Sequence, residues 1–112
     1  MHPTLRQQLI EQIITIIERA RPLVEAVHRK DRDLASQLGR ALNSIALNTA
    51  EGFGSQAGNA RLRFQSAQGS LYEAQAALQL AAAWGYISRQ NSVGVVRALE
   101  AYGGRLYGLS RR

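Results

Sequence analysis

The chain has 112 residues, carries 14 Lys and Arg against 8 Asp and Glu for a formal charge of +6, and contains no cysteine. This length makes one ordinary domain, 1–112, with a single core, and the absence of thiols excludes disulfides and thiolate metal sites while remaining compatible with an intracellular setting. No run reaches the roughly 20 apolar residues that cross a bilayer, and Arg6, Glu11, Glu18 and Arg19 interrupt the first apolar segment, so no secretory core is read there. A soluble, cytoplasmic protein without membrane contact is the expectation.

The first helix is predicted from Pro3 to His28, with Pro3 in its first turn, where a missing N–H costs nothing. Its apolar positions, among them Leu5, Leu9, Ile10, Ile13, Ile14, Ile16, Ile17, Leu23 and Val27, cover close to half the circumference, wider than the apolar arc of about 100° that one core-facing stripe requires. A second apolar contact is therefore expected, with Ile10, Ile14 and Ile17 turned toward another subunit. Pro22 falls on the polar side and is expected to bend the helix. A charged connector, His28 to Asp33, follows, in which Asp31 or Asp33 can cap the next helix.

The second helix contains QLGRALNSIALNTAEGFG, residues 37–54. At about 100° per residue, Gln37, Arg40, Ser44, Asn48 and Glu51 gather on one side, while Leu34, Leu38, Ala41, Leu42, Ile45, Thr49 and Phe53 line the other. Ser, Asn and Glu at one-turn spacings are more selective than a merely solvated face needs.

The third helix starts near Ser55 or Asn59, either able to cap it. Along it Ala60, Phe64, Ala67, Leu71, Ala74, Leu78 and Ala81 alternate steps of four and three, the seam of a left-handed bundle. Gly85 fits the left-handed residue that ends many helices, and Ser88 can cap the fourth, which repeats the seam with Val95, Leu99, Tyr102, Leu106 and Leu109. Gly94, Gly103, Gly104 and Gly108 each cost about 1 kcal/mol relative to alanine in a helix interior, so either close packing offsets them or the helix frays after Tyr102. Tyr102 and Tyr107 lie on different faces and form no joint stacking platform. The architecture expected is an all-α, up-down-up-down antiparallel four-helix bundle.

The spacing R-A-x-x-S-I-x-x-N-x-A-E-G-F, from Arg40 to Phe53, together with Arg63, Phe64, Ala67, Gly69, Ser70, Leu71, Glu73 and the turn Gly85-Tyr86-Ile87-Ser88, resembles a family of small bacterial four-helix bundles. Its members were named from reading frames in intervening sequences of large-subunit rRNA genes, and the accessory variability protein of diversity-generating retroelements is a relative. Gly39, Leu42 and Ala46 stand where the family usually has a basic residue, a small residue and a proline, and the loop Gly54 to Asn59 lacks the family's lysines and arginines. The resemblance implies a cyclic homopentamer, and the retroelement relative implies association with nucleic acid and a reverse transcriptase or other nucleic-acid-processing protein.

Enzyme chemistry finds little footing. A carboxylate-bridged metal site in a bundle needs several glutamates and Glu-x-x-His pairs, which do not occur, and no cofactor is implied. His28 lies in the charged connector and His2 near the start of the chain. Glu51 and Glu73 can meet across the second and third helices, but pairing with arginine or amide donors is the weightier reading. Gly52, Gly54 and Gly58 lack the lysine and preceding strand of a phosphate loop.

The family-matching polar set, Arg40, Ser44, Asn48, Glu51, Arg63, Ser70 and Glu73, is read first as a buried hydrogen-bond network that fixes helix register and second as a surface for a ligand or partner. The 13 arginines and one lysine favour anionic partners, since phosphate contacts release counterions. They cluster only at Arg29, Lys30 and Arg32 and at Arg111 and Arg112, the residues expected to touch RNA or DNA. A symmetric ring would repeat such clusters into a basic belt. The leading reading is thus a non-catalytic, basic, homo-oligomeric scaffold for nucleic acid, and the competing one a protein-interaction module built on the wide face of the first helix.

Overall fold

A computed structural model describes residues 2–112. Four helices follow in order: α1 Leu5–Lys30, α2 Arg32–Phe53, α3 Ala57–Ala83 and α4 Arg89–Ser110. Breaks this short force each helix to run antiparallel to the one before it. Packing is closest between α2 and α3, and the thinner α1/α4 contact closes the up-down-up-down four-helix bundle. The long dimension of 42 Å is that of a helix of 22 to 27 residues at about 1.5 Å per residue.

Helix α1 starts later than its sequence suggests. Thr4 is the N-cap: its Oγ1 accepts from Gln7 N at 3.1 Å, and Thr4 N donates back to Gln7 Oε1 at 2.8 Å. This capping box satisfies two free amides at once and leaves Pro3 outside the helix. The helix continues unbroken through the exposed Pro22 to Lys30, so the expected connector is mostly helical. One residue makes the reversal. Asp31 N donates to Val27 O at 2.7 Å and closes α1, while its carboxylate accepts from Leu34 N at 2.9 Å and opens α2.

Neither residue expected to cap α3 does so. The cap position is Gln56, without a side-chain bond. Ser55 Oγ donates backward to Glu51 O at 2.6 Å, and Asn59 Nδ2 donates to Ser55 Oγ. The α3/α4 turn follows the sequence closely. Gly85 has φ 81°, Tyr86 N reaches Ala81 O at 2.9 Å and Gly85 N reaches Ala82 O at 3.0 Å, the paired bonds of a Schellman ending. Ser88 then accepts from Asn91 N at 3.1 Å.

The core holds Leu9, Ile13, Ile16 and Val27 of α1, Leu38 and Ile45 of α2, the α3 seam from Phe64 to Ala81, and Val95, Leu99, Tyr102, Leu106 and Leu109 of α4. Ala60, expected in that seam, is only half-buried. At the centre the Tyr102 hydroxyl donates to Leu9 O at 3.0 Å and lies 3.3 Å from Thr49 Oγ1, joining three helices. Thr49 spends its own proton on Ile45 O at 2.7 Å. Burial raises the Tyr102 pKa, outweighing the Thr49 bond and the Arg105 charge that lower it. Helix α4 stays regular beyond Tyr102, with Leu106 and Leu109 buried. Close packing explains Gly103, where a Cβ would meet the Leu71 methyls from 3.3 Å; one on Gly94 would meet only the far end of the exposed Arg19 side chain, at 3.3 Å. Gly104 and Gly108 face open space.

Candidate nucleic-acid interface

The bundle's topology decides which basic residues stand together. Arg29 and Lys30 lie in the last turn of α1, where positive charge complements the helix dipole, and both are exposed. Arg32 opens α2 immediately beyond Asp31. It gains nothing from the dipole there, because a helix N-terminus is itself positive. With His28 it borders an open hollow of about 630 Å³ that Val24, Glu25, Arg29, Ala35 and Ser36 complete. Arg89 begins α4 at this same end.

Arg111 and Arg112 lie elsewhere. Helix α4 runs back along the bundle for 22 residues, roughly 33 Å at the α-helical rise, so the C-terminal arginines stand at the opposite end from Arg29, Lys30 and Arg32. One continuous belt cannot include both clusters, and the sequence expectation of a single belt is corrected on this point. Arg111 is also engaged locally: its guanidinium bonds the Tyr107 hydroxyl and its carbon lies 5.2 Å from that ring's centre.

The polar stripe is partly joined, and it is not buried. Ser70 Oγ bonds Ser44 Oγ at 2.8 Å across α2 and α3, and Asn48 Nδ2 donates to both Ser44 O and Ser44 Oγ at 3.0 Å. These three are half-buried. Glu51 pairs with Arg63 at 3.2 Å, and both remain exposed. Arg40 and Glu73 are exposed, and neither joins an ion pair among the described residues. Glu51 and Glu73 do not meet: the register set by Ser44–Ser70 and Glu51–Arg63 puts Glu73 level with Arg40 instead. The stripe fails to bury because Leu38, Ala41 and Ile45 already fill the core side of α2. It lines an open groove of about 430 Å³ with Arg40, Asn43 and Leu47.

Of the α1 trio, Ile14 is 49% exposed, Ile10 is half-buried, and Ile17 packs on the core from a half-buried position. The larger uncovered apolar surface is on α2 and α3, where Leu47 is 65% exposed, Leu62 61%, Leu80 51% and Trp84 70%. Sequence reasoning missed this surface. Leu62 and Leu80 stand five helical turns apart on the outer side of α3, off the four-and-three seam from Phe64 to Ala81 by which that helix is read. A third groove, of about 470 Å³ between α3 and α4, lies between Tyr72 and Tyr107 over Gly103 and Gly104.

Fold and surface together define a basic all-α four-helix bundle with cationic ends and a polar, leucine-edged groove, and no helix among the described residues is long and apolar enough to cross a membrane. Residues 7–108 match the model of the 23S rRNA-intervening sequence protein family, and the chain belongs to that family. Its fold is similar to a crystal structure of a protein of unknown function from the S23 ribosomal protein family of Bacteroides thetaiotaomicron VPI-5482. The TM-score is 0.83 at 16% identity, over 93% of this chain and 99% of that one. No curated protein matches the chain.

Proposed function

We propose that the protein is a non-catalytic, homo-oligomeric scaffold that binds RNA or DNA through its basic ends. The observation that carries this reading is the cluster Arg29, Lys30 and Arg32, which is exposed and joins no ion pair among the described residues. The family's link to 23S rRNA intervening sequences suggests association with nucleic acid without singling out RNA, and guanidinium groups suit bidentate phosphate contact. Self-association is supported by Ile14, Leu47, Leu62 and Leu80, apolar side chains left in water on different faces of the bundle. A cyclic homopentamer, as the family resemblance implies, would repeat each basic end around the axis and give two separate cationic rims. Such an assembly would work in the cytoplasm beside a reverse transcriptase or other nucleic-acid-processing partner, as the resemblance to the retroelement accessory protein implies.

The same exposed leucines favour a second reading, a protein-interaction or assembly module without a nucleic-acid role. Anisotropy of labelled single-stranded and double-stranded RNA and DNA, titrated with the full chain at low salt, separates the two. The scaffold reading expects binding with weak sequence preference. Absence of binding to all four probes would leave the assembly module.

A further inference from the structure

We infer that Trp84 is a stacking platform for the unpaired bases of a single-stranded nucleic acid whose phosphates lie on the cations around it. The inference rests on the nucleic-acid reading and adds a ligand class and a residue to it. Trp84 is the chain's one tryptophan and is 70% exposed. It does not hang on a loose loop. It occupies the C-cap of α3 in helical conformation, its backbone N–H donates to Leu80 O at 2.9 Å, and the next two residues are tied back to Ala82 and Ala81. Ile87, buried beyond the turn, anchors the far side. The backbone thus fixes the point from which a large flat ring extends into water.

That place is the basic end of the molecule. Ser44–Ser70 and Glu51–Arg63 fix the α2/α3 register, and the same register carried up both helices puts Trp84 just beyond the first residue of α2, beside the Asp31 break. Neighbouring helix axes in a bundle lie about 8–10 Å apart. Arg32 starts the helix next to Trp84, and Arg89 starts α4 just after it in the chain. Asp31 and Asp33 at this break accept from the neutral donors Leu34 N and Gln37 Nε2 and keep their charge, but the four cations Arg29, Lys30, Arg32 and Arg89 outnumber them.

An exposed indole at the end of the bundle that carries Arg29, Lys30, Arg32 and Arg89 matches a chain with free base faces and regularly spaced phosphates. A duplex offers the phosphates but keeps its bases stacked inside.

Because Trp84 is the one indole present, its fluorescence reports on this position alone. The full chain is titrated with unlabelled oligouridylate, oligothymidylate and a duplex of equal length, while labelled anisotropy measures affinity. Expected are quenching that saturates together with single-strand binding, and a loss of about tenfold in single-strand affinity in Trp84→Ala, the effect of one stacked base. Duplex affinity and helicity should stay unchanged, and Trp84→Phe should retain most of the binding. Single-strand binding without quenching, at unchanged affinity in Trp84→Ala, would overturn the inference while leaving the nucleic-acid reading intact. Equal losses on duplex and single strand would also overturn it, since stacking would not distinguish them. A Trp84 emission change that follows protein concentration alone would assign the ring to a subunit contact instead. No binding of any probe would remove both the inference and the reading beneath it.

Discussion

Gly52 and Phe64 meet across α2 and α3 so closely that a methyl carbon placed on Gly52 would stand 2.5 Å from Phe64 Cε1. The ring lies edge-on to Phe53, centroids 5.2 Å apart at 74°, and is only 5% exposed, so yielding would disturb packed neighbours. Gly52→Ala is therefore expected to lower stability by about 1–3 kcal/mol despite the better helix propensity of alanine. Gly39→Ala, where a Cβ meets nothing within 4 Å, should raise stability by about 0.5–1 kcal/mol. Thermal unfolding followed by circular dichroism checks both; a stabilised Gly52→Ala would show that the Phe64 contact is not tight.

Tyr102→Phe removes a hydroxyl that ties Leu9 O and Thr49 to α4 and should cost about 1–2 kcal/mol at neutral pH. The pH dependence follows from burial, which raises the folded pKa above its ordinary 10.0. Below pH 10 both folded and unfolded phenols are neutral and the contribution is complete. Above it the unfolded chain ionises first, so stability falls until the folded pKa is passed, by at most about 1.4 kcal/mol per pH unit for this group. Urea unfolding between pH 8 and 11 should show a shallower alkaline loss in Tyr102→Phe than in wild type.

Asn48→Leu deletes the amide that donates twice to Ser44. The site is half-buried, so the expected loss is about 1 kcal/mol, with altered assembly and unchanged affinity for nucleic acid. Ser44→Ala, which also strands the Ser70 hydroxyl, should be no milder. A weaker nucleic-acid affinity in Asn48→Leu at unchanged stability would make the stripe a ligand surface.

Local chemistry was readable where one or two residues decide the outcome. Asp31 and Ser88 cap as their side chains allow, Gly85 takes the positive φ, and the α3 seam from Phe64 to Ala81 is buried. The single-residue α1/α2 break was not readable, because His28, Arg29 and Lys30 read equally well as connector or helix until Asp31 is seen bonding both ways. The stripe's composition was legible, but its depth depends on how α2 is rotated against α3, which is set by side chains distant in sequence. The opposite placement of Arg29 and Arg111 follows only from the helix order, and the exposure of Leu47, Leu62 and Trp84 only from the finished packing.

Assembly should depend on the uncovered apolar side chains. Ile14→Glu combined with Leu47→Glu places charge at two exposed positions and should yield a smaller, equally helical species by light scattering. The single variants would show which face matters more, and Leu47→Glu is expected to have the larger effect, because its side chain is the more exposed. A wild-type monomer at micromolar concentration would contradict the assembly claim.

The central claim, that this bundle binds nucleic-acid phosphates through the cations at its α1/α2 end, is tested most directly by the salt dependence of affinity for one single-stranded RNA. Wild type should show log affinity falling linearly with log salt, with a slope of about −0.7 per phosphate contacted. The triple variant Arg29→Ser, Lys30→Ser, Arg32→Ser should bind every sequence more weakly with a flatter slope, at unchanged helicity and oligomer size. A slope and affinity identical to wild type in that variant would contradict the claim.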